Sequence, residues 1–160
     1  MEIKDLRTAT AIDLHAFSTD PQRTLWLACL PWPGEQALEG HSDADVAAHA
    51  AADALLMASG VGELGSVFGT DRPEWAGASG QILLSEAVRR TTEAGWQIAN
   101  ISVQIIGQKP RFAARKAAAE TLMSTIVGAP VSVSATSTDK LGTVGRKEGI
   151  AAIATALLWR

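Results

Sequence analysis

The chain has only three histidines, and all of them fall in two carboxylate-rich stretches: His15 follows Asp13 in Asp13-Leu14-His15, while His41 and His49 flank Asp43 and Asp45. Two imidazoles and one carboxylate form a ligand set that Zn²⁺ accepts, leaving a fourth tetrahedral position for water or substrate, as catalytic sites do. Asp13, His15 and His49 fit that set. An Asp-x-His pair on a strand is also the pattern of a surface ion pair or of a core histidine satisfied by its neighbour. Asp43 has two readings as well, a functional carboxylate or one placed at a helix N-terminus to favour the macrodipole.

The elements around these residues must bring them together. Residues 10–17 alternate as a strand does, which puts Asp13 and His15 on one face. A second short strand is expected at 24–30, followed by a breaker-rich turn at 31–34. Residues 42–59 are rich in alanine and leucine. They open on Ser42 as a candidate cap, followed by acidic residues, and stop at Gly60, which predicts a helix with Asp45, His49 and Asp53 four apart on one stripe. A glycine-rich loop occupies 60–65, and a looser segment runs on to Gly80. The pattern then predicts a helix over 82–94, a strand over 97–106 with Ile98, Ile101, Val103 and Ile105 toward the core, and a helix over 113–127. A strand starting at Val131, a polar loop over 136–148 and a final strand over 150–159 complete the chain. Strands interleave with helices, so the fold class is α/β (α+β) with a mixed sheet.

Composition narrows the function. With 160 residues, 47% of them hydrophobic, the chain suits one compact domain spanning 1–160. A net charge of −3 offers no basic face for a polyanion, which sets nucleic-acid binding aside. The single cysteine, Cys29, has no internal disulfide partner and sits among apolar residues, which fits a reducing, cytoplasmic setting. No apolar run reaches the roughly 20 residues that span a bilayer, and the N-terminus lacks the apolar stretch of a signal peptide, so no membrane partner is expected.

The stretch Gly40-His41-Ser42-Asp43-Ala44-Asp45-Val46, then His49, then Asp53-Ala54-Leu55-Leu56, closely resembles the signature segment of the 2-C-methyl-D-erythritol 2,4-cyclodiphosphate synthases. Asp13-Leu14-His15 resembles that family's other metal-binding motif. Asn100 to Ile106 followed by Gln108-Lys109-Pro110-Arg111, the segment Ala135-Thr136-Ser137-Thr138-Asp139-Lys140-Leu141-Gly142, and Gly145-Arg146-Lys147-Glu148-Gly149-Ile150 are similar to further family segments in the same order. The resemblance covers nearly the whole chain.

It implies a small domain with a mixed four-stranded sheet packed on helices, assembled as a homotrimer with each site between subunits. The implied reaction closes 4-diphosphocytidyl-2-C-methyl-D-erythritol 2-phosphate into the cyclic diphosphate and expels CMP, as a phosphorus–oxygen lyase of the non-mevalonate isoprenoid pathway. It further implies Zn²⁺ on Asp13, His15 and His49, and Mg²⁺ or Mn²⁺ held by Asp139. His41 and Ser42 would position the erythritol phosphate, and Thr136 and Ser137 would donate hydroxyl hydrogen bonds to phosphate. Glu63 and Gly65 occupy ribose-binding positions, Gly107, Arg111 and Ala135 face the cytosine, and Arg146 lies beside the phosphates. Asp45 and Asp53 would orient the histidine ligand and its helix.

Several positions depart from the family pattern. Ala9 and Ala11 replace glycines, Glu63 stands for an aspartate, and Asp139 stands for a glutamate. Phe68-Gly69-Thr70-Asp71-Arg72 replaces a phenylalanine-proline-aspartate run, Ser134 a lysine, and Thr143 a phenylalanine. Two other functions use the same pocket: a degenerate paralogue that binds nucleotide or isoprenoid diphosphates without turnover, and a zinc phosphodiesterase with water as nucleophile.

Overall fold

The computed structural model describes residues 3–69 and 71–160; Met1, Glu2 and Thr70 lie outside the described residues. Four strands, β1 (Leu6–Ala16), β4 (Gln97–Ile106), β5 (Val131–Thr136) and β6 (Gly149–Trp159), form one sheet in the order β1-β6-β4-β5. Only the β4–β5 pair is parallel, so the sheet is mixed as expected. A helix, α4 (Lys116–Val127), makes that parallel crossover after a 3₁₀ turn at Phe112–Arg115. The expected helix over 113–127 is this pair, with its first turn wound more tightly.

Two more helices lie on the inner face, α1 (Val46–Ser59) and α3 (Gly80–Glu93). α1 packs on β1, β6 and α3 at once, and twelve of its fourteen residues are buried, which makes it a core helix rather than an amphipathic one. It ends as the sequence indicates: Gly60 has φ 75° and donates its N–H to the Leu56 and Met57 carbonyls. The inner face of the sheet is filled by Ile101, Val103 and Ile105 of β4, Val131 and Val133 of β5, and Ile150, Ala152, Ala154, Ala156 and Leu158 of β6. Ile98, expected among them, is only half-buried.

Four expectations about local structure change. β1 starts at Leu6, not residue 10, because pairing with β6 runs back to Leu6 opposite Trp159. The strand expected at 24–30 is a hairpin, β2 (Leu25–Leu27) and β3 (Leu30–Trp32), so Pro31 and Trp32 are strand rather than turn. Its two-residue turn is Ala28-Cys29, both at positive φ (54° and 63°), the backbone such tight hairpins require. α1 starts at Val46 with Asp45 as its cap, not at Ser42. Finally, the loops at 60–80 and 136–148 hold short helices, α2 (Leu64–Val67) and α5 (Gly142–Gly145), with a 3₁₀ turn at Pro73–Trp75. No helix among the described residues is long and apolar enough to cross a membrane.

Candidate metal centre and substrate cavity

On β1 the period-two alternation turns Asp13 and His15 toward α1, and α1 presents His49 to them. His15 Nε2 and His49 Nδ1 each lie 3.2 Å from Asp13 Oδ2. One ligand atom from each residue falls within 4.8 Å of the other two. The imidazoles meet edge to face at 71° with centroids 6.0 Å apart, so the rings do not stack. Burial alone would raise the Asp13 carboxyl, but hydrogen bonds from His15 and His49 outweigh it and hold that group well below the ordinary carboxylate range. His49 is shifted the other way. Burial opposes its charge, yet Asp13, Asp45 and Asp43 together raise its pKa. Two imidazoles around an ionised carboxylate form a site with a surplus of lone pairs, the electrostatics a divalent cation satisfies.

The ring atom of His49 that points away from Asp13 is also engaged: Nε2 lies 3.1 Å from Ser42 Oγ and 3.7 Å from Asp43 Oδ1. Such a contact on the far nitrogen fixes the ring and leaves Nδ1 for a ligand bond. Asp43 thus meets both readings, standing beside His49 and serving a helix N-terminus, though that of α3 rather than of α1, whose cap is Asp45. Its Oδ2 accepts the N–H of Gly80 (2.7 Å), the first residue of α3, and its Oδ1 accepts that of Asp45 (3.1 Å).

Neither Asp45 nor Asp53 touches the His49 ring through a hydrogen bond. Asp45 caps α1 through the Ala48 N–H, and Asp53 Oδ1 accepts the N–H of Leu64 (2.8 Å), anchoring α2 beside the Glu63–Gly65 segment.

The triad opens into a cavity of about 530 Å³. Among the residues singled out from the sequence, Asp13, His15, His41, Ser42, His49 and Gly65 line it. Leu64, Phe68, Arg72, Trp75 and Leu83 form much of the remaining wall, with Trp75 edge-on to Phe68 at 5.0 Å. Sequence reasoning singled out Phe68 and Arg72 only within a run that departs from the family pattern, and gave no site role to Leu64, Trp75 or Leu83. A further visible signal was the Phe68 and Trp75 aromatic pair spaced across a glycine- and proline-containing loop.

The other candidates do not line this cavity. Glu63 is exposed and opens α2, where its backbone N–H donates to Ser66 Oγ (3.1 Å). Gly107 follows β4, and its N–H donates to the Thr136 carbonyl (2.9 Å) at the end of β5, next to Ala135. The Asp139 N–H donates to Ser137 Oγ (3.3 Å), in a turn where Asp139 and Lys140 both have positive φ. Arg146 pairs with Glu148 in solvent, and Arg111 is exposed. Ala135, Thr136 and the Ser137–Asp139 turn lie at the end of β5, the edge opposite the β1 strand that carries Asp13 and His15, whereas Glu63 adjoins the cavity-lining Gly65 and Arg146 lies between α5 and β6.

Comparison with known proteins agrees with the residue pattern. The chain is 50% identical to the 2-C-methyl-D-erythritol 2,4-cyclodiphosphate synthase of Acidothermus cellulolyticus, over 96% of this chain and 94% of that one. It is 52% identical to that of Cutibacterium acnes, over 98% and 92%. Among solved structures, the IspF of Plasmodium falciparum in complex with CDP superposes with a TM-score of 0.82 at 25% identity, covering 96% of each chain. The bifunctional IspDF of Campylobacter jejuni superposes at 0.90 with 30% identity, covering 99% of this chain and 43% of the other. The YgbB family model matches residues 6–159, every residue of the four-stranded sheet and all of the triad, so the chain belongs to the YgbB family.

Proposed function

We propose that this chain converts 4-diphosphocytidyl-2-C-methyl-D-erythritol 2-phosphate to 2-C-methyl-D-erythritol 2,4-cyclodiphosphate and CMP. The observation that carries this reading is the convergence of Asp13, His15 and His49 at the floor of a cavity walled by His41, Ser42 and Gly65. It occurs in a chain about half identical, over nearly its full length, to named synthases. In the reaction an oxygen of the 2-phosphate bonds to the β-phosphorus, the bond from that phosphorus to the oxygen bridging α and β breaks, and the electron pair leaves with CMP.

Both reacting groups are anions on one molecule, so the chain's work is to hold them in line and offset their repulsion. The donor set suits Zn²⁺ on Asp13 Oδ2, His15 Nε2 and His49 Nδ1, and the hard carboxylate of Asp139 suits Mg²⁺ or Mn²⁺. When bound, these ions supply Lewis-acid stabilisation of charge on the diphosphate. His41 and Ser42 position the erythritol phosphate. Glu63 and Gly65 take the ribose, and Gly107, Arg111 and Ala135 take the cytosine. Thr136 and Ser137 donate hydroxyl hydrogen bonds to phosphate, with Arg146 adding charge. No protein nucleophile is needed.

The homotrimer belongs to this proposal. β1, which carries Asp13 and His15, and β5, which leads into the Asp139 turn, are opposite edges of the sheet, three strand spacings or roughly 14 Å apart. β1 also exposes Ile12 (67%) and Leu14 (56%) on its outer face, an apolar surface that suits burial against a second copy. Two facing copies would bring one chain's β5-side loops to another's triad, and the site would lie between subunits.

The test is to incubate zinc-loaded protein and Mg²⁺ with the substrate and follow products by phosphorus NMR. CMP and the cyclic diphosphate should appear together. An open-chain phosphate would instead mean hydrolysis, and CDP binding without CMP release would mean a non-catalytic relative.

A further inference from the structure

The loop between β3 and α1 carries His41 and Ser42 and has no ladder of its own beyond an isolated bridge of Leu38 with Phe17. Among the described residues, one side chain from outside the loop holds its backbone carbonyls. Arg23 Nε donates to the Leu38 carbonyl (2.6 Å), and its Nη2 donates to the carbonyls of Gly40 (3.0 Å) and Ser42 (2.5 Å). Three alternate carbonyls of the loop thus converge on a single guanidinium. Arg23 makes no ion pair with a carboxylate among the described residues, and its hydrogen bonds all go to this backbone. The planar fork of a guanidinium can serve several acceptors at fixed angles, which an ammonium on a flexible stem cannot.

The clamped residues touch both imidazoles of the triad from behind. A Cβ on Gly40 would stand 3.2 Å from His15 Cε1 and 3.3 Å from Nδ1, so the Gly40 backbone backs the Nδ1–Cε1 edge of the His15 ring while Nε2 faces Asp13. Ser42 Oγ sits 3.1 Å from His49 Nε2 while Nδ1 faces Asp13. His41 lies between these two contacts. The base of the loop is fixed independently by the Glu39 N–H donating to the Ala16 carbonyl (2.8 Å). At its other end the loop is tied by Ser42 Oγ to His49 Nε2 and by Asp43 Oδ2 to the Gly80 N–H, and between these ties the backbone carbonyls of Gly40 and Ser42 are held by Arg23.

We propose that Arg23 is a positioning residue for the metal centre and for the His41–Ser42 loop: it clamps the Leu38, Gly40 and Ser42 carbonyls and thereby sets the backbone on which both histidine ligands rest. This rests on the reading of the triad as a metal centre. Second-layer contacts of this kind change metal affinity or activity about 10–100-fold when removed.

The test compares the full chain with Arg23→Ala and Arg23→Lys. Co²⁺ replaces zinc as the metal probe, and its visible absorption and affinity are read together with kcat, KM and thermal unfolding. Arg23→Ala should weaken Co²⁺ binding about 10-fold or more, alter the Co²⁺ spectrum, and lower kcat rather than only raise KM. Arg23→Lys should fold as the parent does but recover little of either. Guanidinium chloride at low millimolar concentration, far below denaturing levels, should restore the Arg23→Ala spectrum in part; a merely structural defect would not respond. An unchanged Co²⁺ spectrum and affinity in a folded Arg23→Ala protein overturns the clamp. Loss that follows thermal stability alone and resists guanidinium overturns it as well. A parent chain that binds Co²⁺ without making CMP refutes the synthase reading and leaves the clamp to be judged by the Co²⁺ spectra. A parent that takes no Co²⁺ removes both.

Discussion

Replacing Asp45 tests the idea that one buried carboxylate sets the entrance to α1. Asp45 is fully buried; its Oδ1 accepts the N–H groups of Ala28 (2.9 Å) and Ala48 (3.1 Å), and its Oδ2 accepts that of Cys29 (2.7 Å). The same carboxylate therefore fixes the β2–β3 turn and caps the helix that carries His49 one turn later. Asp45→Ala leaves three buried donors without acceptors, each costing about 1–3 kcal/mol, and the helix-cap loss of about 0.5–2 kcal/mol is already counted in the Ala48 donor. Burial and the neighbouring Asp43 raise the Asp45 carboxyl, so some electrostatic cost is relieved when the charge goes. The net destabilisation should be about 3–5 kcal/mol, or roughly 6–20 °C in Tm for a chain of this length. Asp45→Asn keeps the Oδ1 acceptor but sets an amide NH₂ against the Cys29 N–H, and should cost about 1–3 kcal/mol. Urea and thermal unfolding of metal-free protein at one fixed concentration measure both, since bound metal and assembly would shift the midpoint. An Asp45→Ala protein within about 1 kcal/mol of the parent, or an Asn variant as damaged as the Ala variant, would refute the assignment.

At the metal centre, His49→Ala should lose zinc and activity together, whereas Asp139→Asn should lower the rate with zinc retained. Metal analysis after gel filtration checks this, and zinc kept by His49→Ala contradicts the ligand set. The two shifted groups also set a pH dependence. The lowered Asp13 contributes stability above the ordinary carboxylate value near pH 4 and loses it as pH falls through its folded value; the raised His49 contributes below about 6.5 and loses its share as pH rises through its folded value. Metal-free protein thus has both contributions in full only between about pH 4 and about pH 6.5. Because zinc must displace the His49 proton, its affinity should rise from about pH 6 to about pH 8, read by chelator competition. A flat or inverted profile would show that His49 Nδ1 is not a ligand.

What the sequence made legible was whatever rests on local pattern. β4 was placed to the residue at both ends by its alternation, the end of α1 by Gly60, and the shared face of Asp13 and His15 by period two. What it hid rests on contacts between distant segments. The run from Leu25 to Leu30 looks like one strand because nothing local signals positive φ at Ala28 and Cys29; the Asp45 carboxylate, sixteen and seventeen residues on, receives both turn N–H groups. Ser42 looked like a helix cap, but its hydroxyl is engaged with His49, and the helix begins four residues later. Arg23 gave no signal at all, since its acceptors are carbonyl groups, which every residue carries and no sequence distinguishes.

The same division explains why the triad is held by packing rather than by loops. Ala47, Ala48, Ala50, Ala51, Ala52 and Ala54 are all fully buried, so over much of its length α1 puts only methyl groups into its packing on the sheet and α3. A Cβ on Gly80 would stand 2.9 Å from that of Ala48, a measure of how close the two helices come at their starts. That approach brings His49 within 3.2 Å of a carboxylate on β1, the edge strand. β1 in turn reverses the usual pattern of a sheet with one face on the core, turning Asp13 and His15 inward and Ile12 and Leu14 outward. Larger side chains at the α1 alanines would fit the composition of a core but would push the helix off β1 and separate the ligands. The alanine run that reads in the sequence as mere helix propensity is thus also what sets the distance across which a metal is to be bound.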